Sequence, residues 1–276
     1  MKKIVLAVIA LSGALGVHAQ ADTTAAEKVD TIKVGGMIII KKGDKDSDKD
    51  DKTINISSRR KRKSSAVSTN WGVVDLGFAN FHDQTNYSSA ETQAFAPGIN
   101  EDHMTLRTAK SVNVNIWAFM QQVNLVKHVV NFKWGLGLEL NNYRFDNEQV
   151  RFQKNPTLVT LDPSLKDSAK KNKLAVDYIS MPAMINFNFT PRREKSFGLS
   201  AGIQAGYLYS ARQKFKMEND DKTKLHDDFD LRKWKISYIG ELSLGIVTLY
   251  GSYATQSMWE KGFDHTPYTV GIRLKH

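Results

Sequence analysis

Four of the seven histidines fall in or beside long polar connections: His82, His103, His226 and His265, with Ser88 and Ser89 near the first. An imidazole base beside a serine hydroxyl could act as a nucleophilic centre on outer-leaflet lipid, if placed at the rim of a membrane protein. That chemistry needs base and nucleophile in hydrogen-bond reach, and no spacing ties these residues together. The expectation is therefore no catalytic residue and no enzyme. No P-loop, zinc-ligand spacing or dinucleotide fingerprint is present, so no cofactor-binding or metal residue is expected either. The run Asp44-Lys45-Asp46-Ser47-Asp48-Lys49-Asp50-Asp51 invites a calcium reading. An EF-hand loop places glycine sixth and glutamate twelfth; counted from Asp44 those positions hold Lys49 and Asn55. With lysines interleaved, a solvated charged loop is the better reading.

Two other charge sets stand out. Arg59, Arg60, Lys61, Arg62 and Lys63 form the densest charge on a chain whose formal net charge is +10. Just before a membrane strand in an exported protein, such a run meets anionic headgroups or cell-wall polymer sooner than nucleic acid. A flexible solvated linker is the plain alternative. Asp75, Lys133, Glu139, Lys235, Glu241 and Arg273 instead lie singly on the polar rows of otherwise apolar strands. Their role depends on what those rows face.

The clearest such strand is Val130–Asn141. Val130, Phe132, Trp134, Leu136, Leu138 and Leu140 alternate with Asn131, Lys133, Gly135, Gly137, Glu139 and Asn141. Period two is a strand; at helical spacing Lys133 and Glu139 would fall among the leucines. Further segments alternate over 71–81, 112–126, 173–190, 196–212, 233–245, 248–257 and 268–274, about eight strands in all. In 112–126 the pattern breaks, with Trp117 and Phe119 on the polar phase. Pro182 predicts a bulge in its strand. The connections at 126–130, 191–195 and 245–247 are tight. Those at 82–110, 146–172 and 213–232 are long and polar, and 260–265 is intermediate.

An even strand count with short turns at one end and long loops at the other describes an eight-stranded antiparallel up-and-down transmembrane barrel. A lipocalin-like soluble barrel shows the same period with its apolar face inward. Here the apolar rows run unbroken for about ten residues, aromatics gather near strand ends, and the opposing rows hold Gly, Ser, Asn and a few charges. Lipid therefore faces the apolar rows. Eight strands leave a lumen just wide enough for side chains, so the six charges are expected to pair and plug it. In that arrangement Leu138→Arg should harm folding, and Gly137→Ser, one residue away and inward, should be much milder.

The chain opens Met1-Lys2-Lys3, runs apolar to Leu15 and reaches small-residue sites at Ala19 and Ala21, a secretory signal over 1–19. Residues 20–68 read as a charged, mostly flexible periplasmic tether. Within it, 32–40 and 53–56 could pair as a small hairpin. Residues 69–276 form the barrel, placing the protein in the outer membrane with both termini periplasmic. No cysteine is present, so no disulfide framework or lipoprotein anchor is expected.

Lys110-Ser111-Val112-Asn113-Val114-Asn115-Ile116, Trp134–Phe145 and Leu249-Tyr250-Gly251-Ser252-Tyr253 resemble the PorT-like outer-membrane β-barrel family of Gram-negative envelopes. The resemblance covers about Asn70 to the end. It implies a small cell-envelope barrel and supplies no catalytic residue, and its founding member is associated with protein secretion. Scaffold, anchor or interaction protein is thus the leading expectation. An accessory secretion role and a lipid-modifying enzyme follow it. Expected partners are outer-membrane lipids and other envelope proteins. The chain closes Leu274-Lys275-His276, without the terminal aromatic common in such barrels.

Overall fold

The computed structural model describes residues 30–34, 37–41, 65–166, 168–191 and 197–274. Two compact units divide the chain, Met1–Lys63 and Ser64–His276. In the first, β1 (Asp30–Val34) pairs antiparallel with β2 (Met37–Lys41). The pairing thus lies within the first apolar segment. Residues 53–56 lie outside the described residues, as do the signal segment, Asp44–Asp51 and the basic run Arg59–Lys63.

The second unit is a closed barrel. Its strands are β3 (Val67–Asp83), β4 (Val112–Val126) and β5 (Val130–Arg144). A small hairpin of β6 (Val150–Phe152) and β7 (Val159–Leu161) precedes β8 (Ala169–Asn188) and β9 (Phe197–Met217). Next come the short β10 (Lys222–His226), then β11 (Trp234–Leu244), β12 (Val247–Ala254) and β13 (His265–Leu274). Eight strands pair in sequence order, and β13 pairs back onto β3 to close the ring. β10 folds onto the upper half of β9, where β11 no longer reaches. Closure gives each of the eight wall strands a partner on both sides, the condition for crossing a bilayer with strands. Among the described residues no helix is long and apolar enough to do so.

The alternation sorts side chains as its period requires. Val74, Leu76 and Phe78 of β3 are exposed on the outside, while Asp75 between them is 1% exposed. Ile116, Leu138, Ile179, Ile203, Tyr238 and Val270 continue the same outer belt around the ring. An apolar surface that encircles the molecule has to be covered by lipid. Trp71, Phe119 and Trp134 meet in the belt at one end, with ring centroids 5.9 Å and 5.0 Å apart.

Two irregularities re-aim residues. A bulge between Trp117 and Phe119 shifts the register of β4 against β5, so Trp117 and Met120 both point inward while Phe119 faces the belt. This explains the broken pattern of 112–126: Met120 shares the phase of the outward Val112 and Ile116 in sequence, yet the bulge turns it inward. Pro182 carries no bulge: β8 stays in register with β9 there, and the shift lies beyond it, at Asp177/Tyr178. A proline can sit in that register because it faces a gap in the β5 ladder, opposite Gly135 and Leu136, where no donor is required.

The long connections are not the solvated loops their polarity predicts. They carry two short helices, α1 (Ala90–Phe95) and α2 (Glu101–Met104), each with a side-chain N-cap, from Ser89 and Asn100. All four connections contribute buried residues to one apolar cluster over the mouth of the barrel.

Candidate functional site

The barrel interior is built from the inward rows of all eight wall strands, and it brings all six predicted charges into one hydrogen-bonded network. Asp75 on β3 receives Arg273 of β13 in a two-pronged contact, Nε to Oδ1 at 2.5 Å and Nη2 to Oδ2 at 2.9 Å. The third arm of Arg273, Nη1, reaches Glu241 Oε1 at 2.7 Å, and the other oxygen of Glu241 takes Lys133. Glu139 pairs with Lys235, and its two oxygens also accept from Asn141 Nδ2 (2.9 Å), Gln204 Nε2 (2.7 Å) and Ser180 Oγ (3.1 Å). Lys235 Nζ also stands 4.7 Å from the centre of the Tyr178 ring.

Neutral side chains join the two halves. Trp117 Nε1 donates to Asp75 Oδ2 at 2.7 Å, beside Asn115. Asn113 then links Asn115, Asn141 and the Tyr250 hydroxyl. Three carboxylates meet three cations, so the interior charge sums to zero and every carboxylate oxygen has a donor. Low dielectric makes that completeness matter, since an unpaired charge there is costly. The sequence reading missed Trp117, Asn113 and Tyr250. Their inward phase was the available signal, and for Trp117 it read as a break in the pattern because Phe119 shared it.

Glycine is required where this interior is tightest. A Cβ on Gly137 would stand 2.5 Å from the Ile116 carbonyl oxygen and 2.7 Å from the Trp117 ring. The expectation that Gly137→Ser is mild is therefore corrected: the buried indole occupies that space. Trp117 packs with Met120, Met184 and Ile239 in a small apolar layer. At the tight-turn end the lumen opens as a vestibule of about 960 Å³, lined by Asn70, Gln122, Lys133, Asn186, Ser243 and Arg273 among others.

The opposite end is closed by the apolar cluster. Phe152 of β6 stacks on Trp259 at 5.6 Å and 10°, and Phe95 of α1 meets Phe263 edge-on at 5.4 Å. Gln213 on the barrel wall holds β6 at both ends, accepting from Phe152 N (2.9 Å) and donating to the Val150 carbonyl (2.8 Å). Gly262, at φ +83°, lies where a Cβ would collide with the Phe95 ring.

This cluster also takes in one of the candidate histidines. His265 is fully buried between Phe81 and Phe263, both parallel to its ring at 4.1 Å and 4.9 Å. Trp259 Nε1 donates to its Nδ1 (3.1 Å), which leaves Nε2 carrying the proton toward Asp83 Oδ2 at 3.3 Å. The Tyr87 hydroxyl donates to that same carboxylate oxygen at 2.6 Å, and burial together with this contact pushes its phenol pKa up. Both ring nitrogens of His265 are thus committed to structure. His103 closes the capping box of α2 and Ser89 caps α1. His226 is exposed on β10 and His82 near the end of β3. The structure does not bring a histidine and a serine hydroxyl together among these candidates.

The sequence model of the outer membrane protein beta-barrel domain matches residues 73–255, from within β3 to just past β12. The chain belongs to that family. Among solved structures, the attachment invasion locus protein Ail of Yersinia pestis is similar. It shares 10% identity, over 74% of this chain and 99% of that one, with a TM-score of 0.31. No curated protein matches the chain.

Proposed function

We propose that this chain is a non-enzymatic barrel of the outer membrane that conducts no solute and serves as scaffold, anchor or interaction protein. The observation that carries the reading is the interior: six charges in a complete, neutral network beneath a sealed apolar cap. A lumen filled this way offers no aqueous path, and the cap is a rigid surface set on the bilayer. The even strand count sets both barrel ends with the tight turns; in this reading that end is periplasmic and the cap faces outward from the cell. The likeness of Lys110–Ile116, Trp134–Phe145 and Leu249–Tyr253 to PorT-like barrels supports a narrower form, an accessory in protein secretion.

Reconstitution in planar bilayers tests the closed interior. The protein is expected to give no steady conductance, and a stable open channel would refute the plug. Epitope tags test the orientation separately. Tags at Asn155 and Asp220 should react on intact cells and one in the Gly245 turn should not; the reverse pattern would invert the topology.

A further inference from the structure

The outer wall above the lipid belt carries an arrangement that the plug and the cap do not use. Arg144 of β5 stands opposite Lys173 of β8, Lys173 opposite Lys214 of β9, and Lys214 opposite Lys224 of β10. Four cations therefore lie in direct cross-strand register, spanning roughly 14 Å at about 4.8 Å per strand. Two residues further up, Lys171, Lys216 and Lys222 repeat the pattern on β8, β9 and β10.

Like charges directly opposite on a sheet repel, and proteins ordinarily alternate them. Here alternation is absent where it would be easy to supply. Nearby carboxylates are engaged elsewhere: Asp177 with Arg212, Glu218 with Lys170 and Asp220 with Lys216. Among the described residues no carboxylate pairs with Arg144, Lys171, Lys173, Lys214, Lys222 or Lys224. Lys173 Nζ finds only the Asn142 amide oxygen at 3.0 Å, and Arg144 Nε is buried with no partner.

Position identifies what would neutralise the row. Directly below it on the same phase come Asn142, Ala175 and Arg212, then the Asp177–Arg212 ion pair beside half-buried Leu140, and below these the exposed Ile179 and Tyr207 of the lipid-facing belt. Four residues separate Arg144 from Leu140, about 10 Å along the membrane normal for a strand tilted near 40°, and six and seven residues separate Lys173 from Ile179 and Lys214 from Tyr207, roughly 15–18 Å. The bank therefore stands at headgroup height, with lysine stems able to bend toward the interface.

We infer that the β5–β8–β9–β10 wall is a lateral binding site for the phosphates of an anionic glycolipid of the outer leaflet, a lipid A-type molecule. Its acyl chains would lie on the Leu140–Ile179–Tyr207 surface and its phosphates on the Arg144–Lys173–Lys214–Lys224 row. The choice of leaflet rests on the orientation proposed above; the cation row and its chemistry do not.

The test uses the full-length barrel in nanodiscs of phosphatidylcholine doped with lipid A or with dephosphorylated lipid A, read by native mass spectrometry. The wild type should retain lipid A and discriminate strongly against the dephosphorylated form. The triple variant Lys173→Gln/Lys214→Gln/Lys224→Gln should bind lipid A about 100-fold more weakly, at roughly fivefold per lysine near an anionic headgroup. The charge-matched control Lys110→Gln/Lys154→Gln/Lys166→Gln should stay within about threefold of wild type on the same scale. If the triple variant does not fold, judged by its unboiled gel mobility, Lys214→Gln alone should show the fivefold loss. Equal retention of dephosphorylated lipid, unchanged binding by the Gln variants, or full displacement by millimolar inorganic phosphate would each overturn the site. The first two would remove the phosphate contact, and the third would make it a small-anion site. Because these measurements do not depend on which way the barrel faces, the tag experiment fails or succeeds on its own.

Discussion

Replacing Glu139 by glutamine tests the claim that the interior is held by charge as well as by shape. The carboxylate accepts four donors, from Lys235, Asn141, Gln204 and Ser180. A glutamine of the same size keeps its oxygen on Lys235 and Asn141 and turns its amide toward the other two. Gln204 can flip its own amide and Ser180 can rotate its hydroxyl, so most polar contacts can be rebuilt. What cannot be rebuilt is the balance: the interior goes from neutral to one excess cation, and Lys235 exchanges a charge-assisted contact for a neutral one. Glutamine should therefore cost about 2–3 kcal/mol, between the loss of a charged hydrogen bond and the full breaking of a buried pair. Glu139→Leu, which strands all four donors, should cost more, about 3–5 kcal/mol. Adding Lys235→Met to Glu139→Gln should restore much of the loss, since the methionine stem can still lie on the Tyr178 ring and the charges again cancel. Urea unfolding in detergent micelles, followed by heat-modifiable gel mobility, measures each variant. A Glu139→Gln barrel within about 0.5 kcal/mol of wild type, or a double variant worse than the single, would refute the reasoning.

Other expectations concern the wall and the cap. Leu138→Arg places a charge on the lipid face and should lower stability by about 2–4 kcal/mol in bilayers. Gly137→Ser, which drives a side chain into Trp117, should be similarly harmful, by about 1–3 kcal/mol for an overpacked site, and Gly137→Ser with Trp117→Phe should recover part of it. A harmless Gly137→Ser would mean that the indole is placed wrongly. Trp259→Ala should loosen the cap by about 3–5 kcal/mol. Limited proteolysis should then cut within 84–111 or 255–264 while the barrel keeps its unboiled mobility, and loss of both together would show that cap and barrel fold as one unit.

The barrel was legible because a strand buried on one side and lipid-covered on the other writes both environments into alternate residues. Val130–Asn141 does so without exception, and Asp75, Lys133, Glu139, Lys235, Glu241 and Arg273 could be assigned inward one strand at a time. Where a residue count departs from two, the reading failed. The bulge after Trp117 turned Met120 inward, and nothing in Ile116-Trp117-Ala118-Phe119 announces it. Pro182 suggested a bulge that lies elsewhere, because a missing donor can be absorbed by a gap in the ladder. The cap was invisible for a different reason. Phe95, Phe152, Phe229 and Trp259 are isolated apolar residues in polar connections, and only assembly over the mouth makes them a core. The cation row is similar: Arg144, Lys173, Lys214 and Lys224 are scattered in sequence, and register alone aligns them.

Trp117 and Gly137 face each other across β4 and β5, and the ring of one fills the space a side chain on the other would need. Over evolutionary time such positions are not free to drift separately. A lineage that acquires alanine or serine at the second must shift the β4 backbone at Ile116 as well as accept a smaller residue at the first, losing the indole donor to Asp75 in the same step. Within the family, the identity of this pair should therefore divide members into those whose interior is closed by an indole and those that fill the same space by other means.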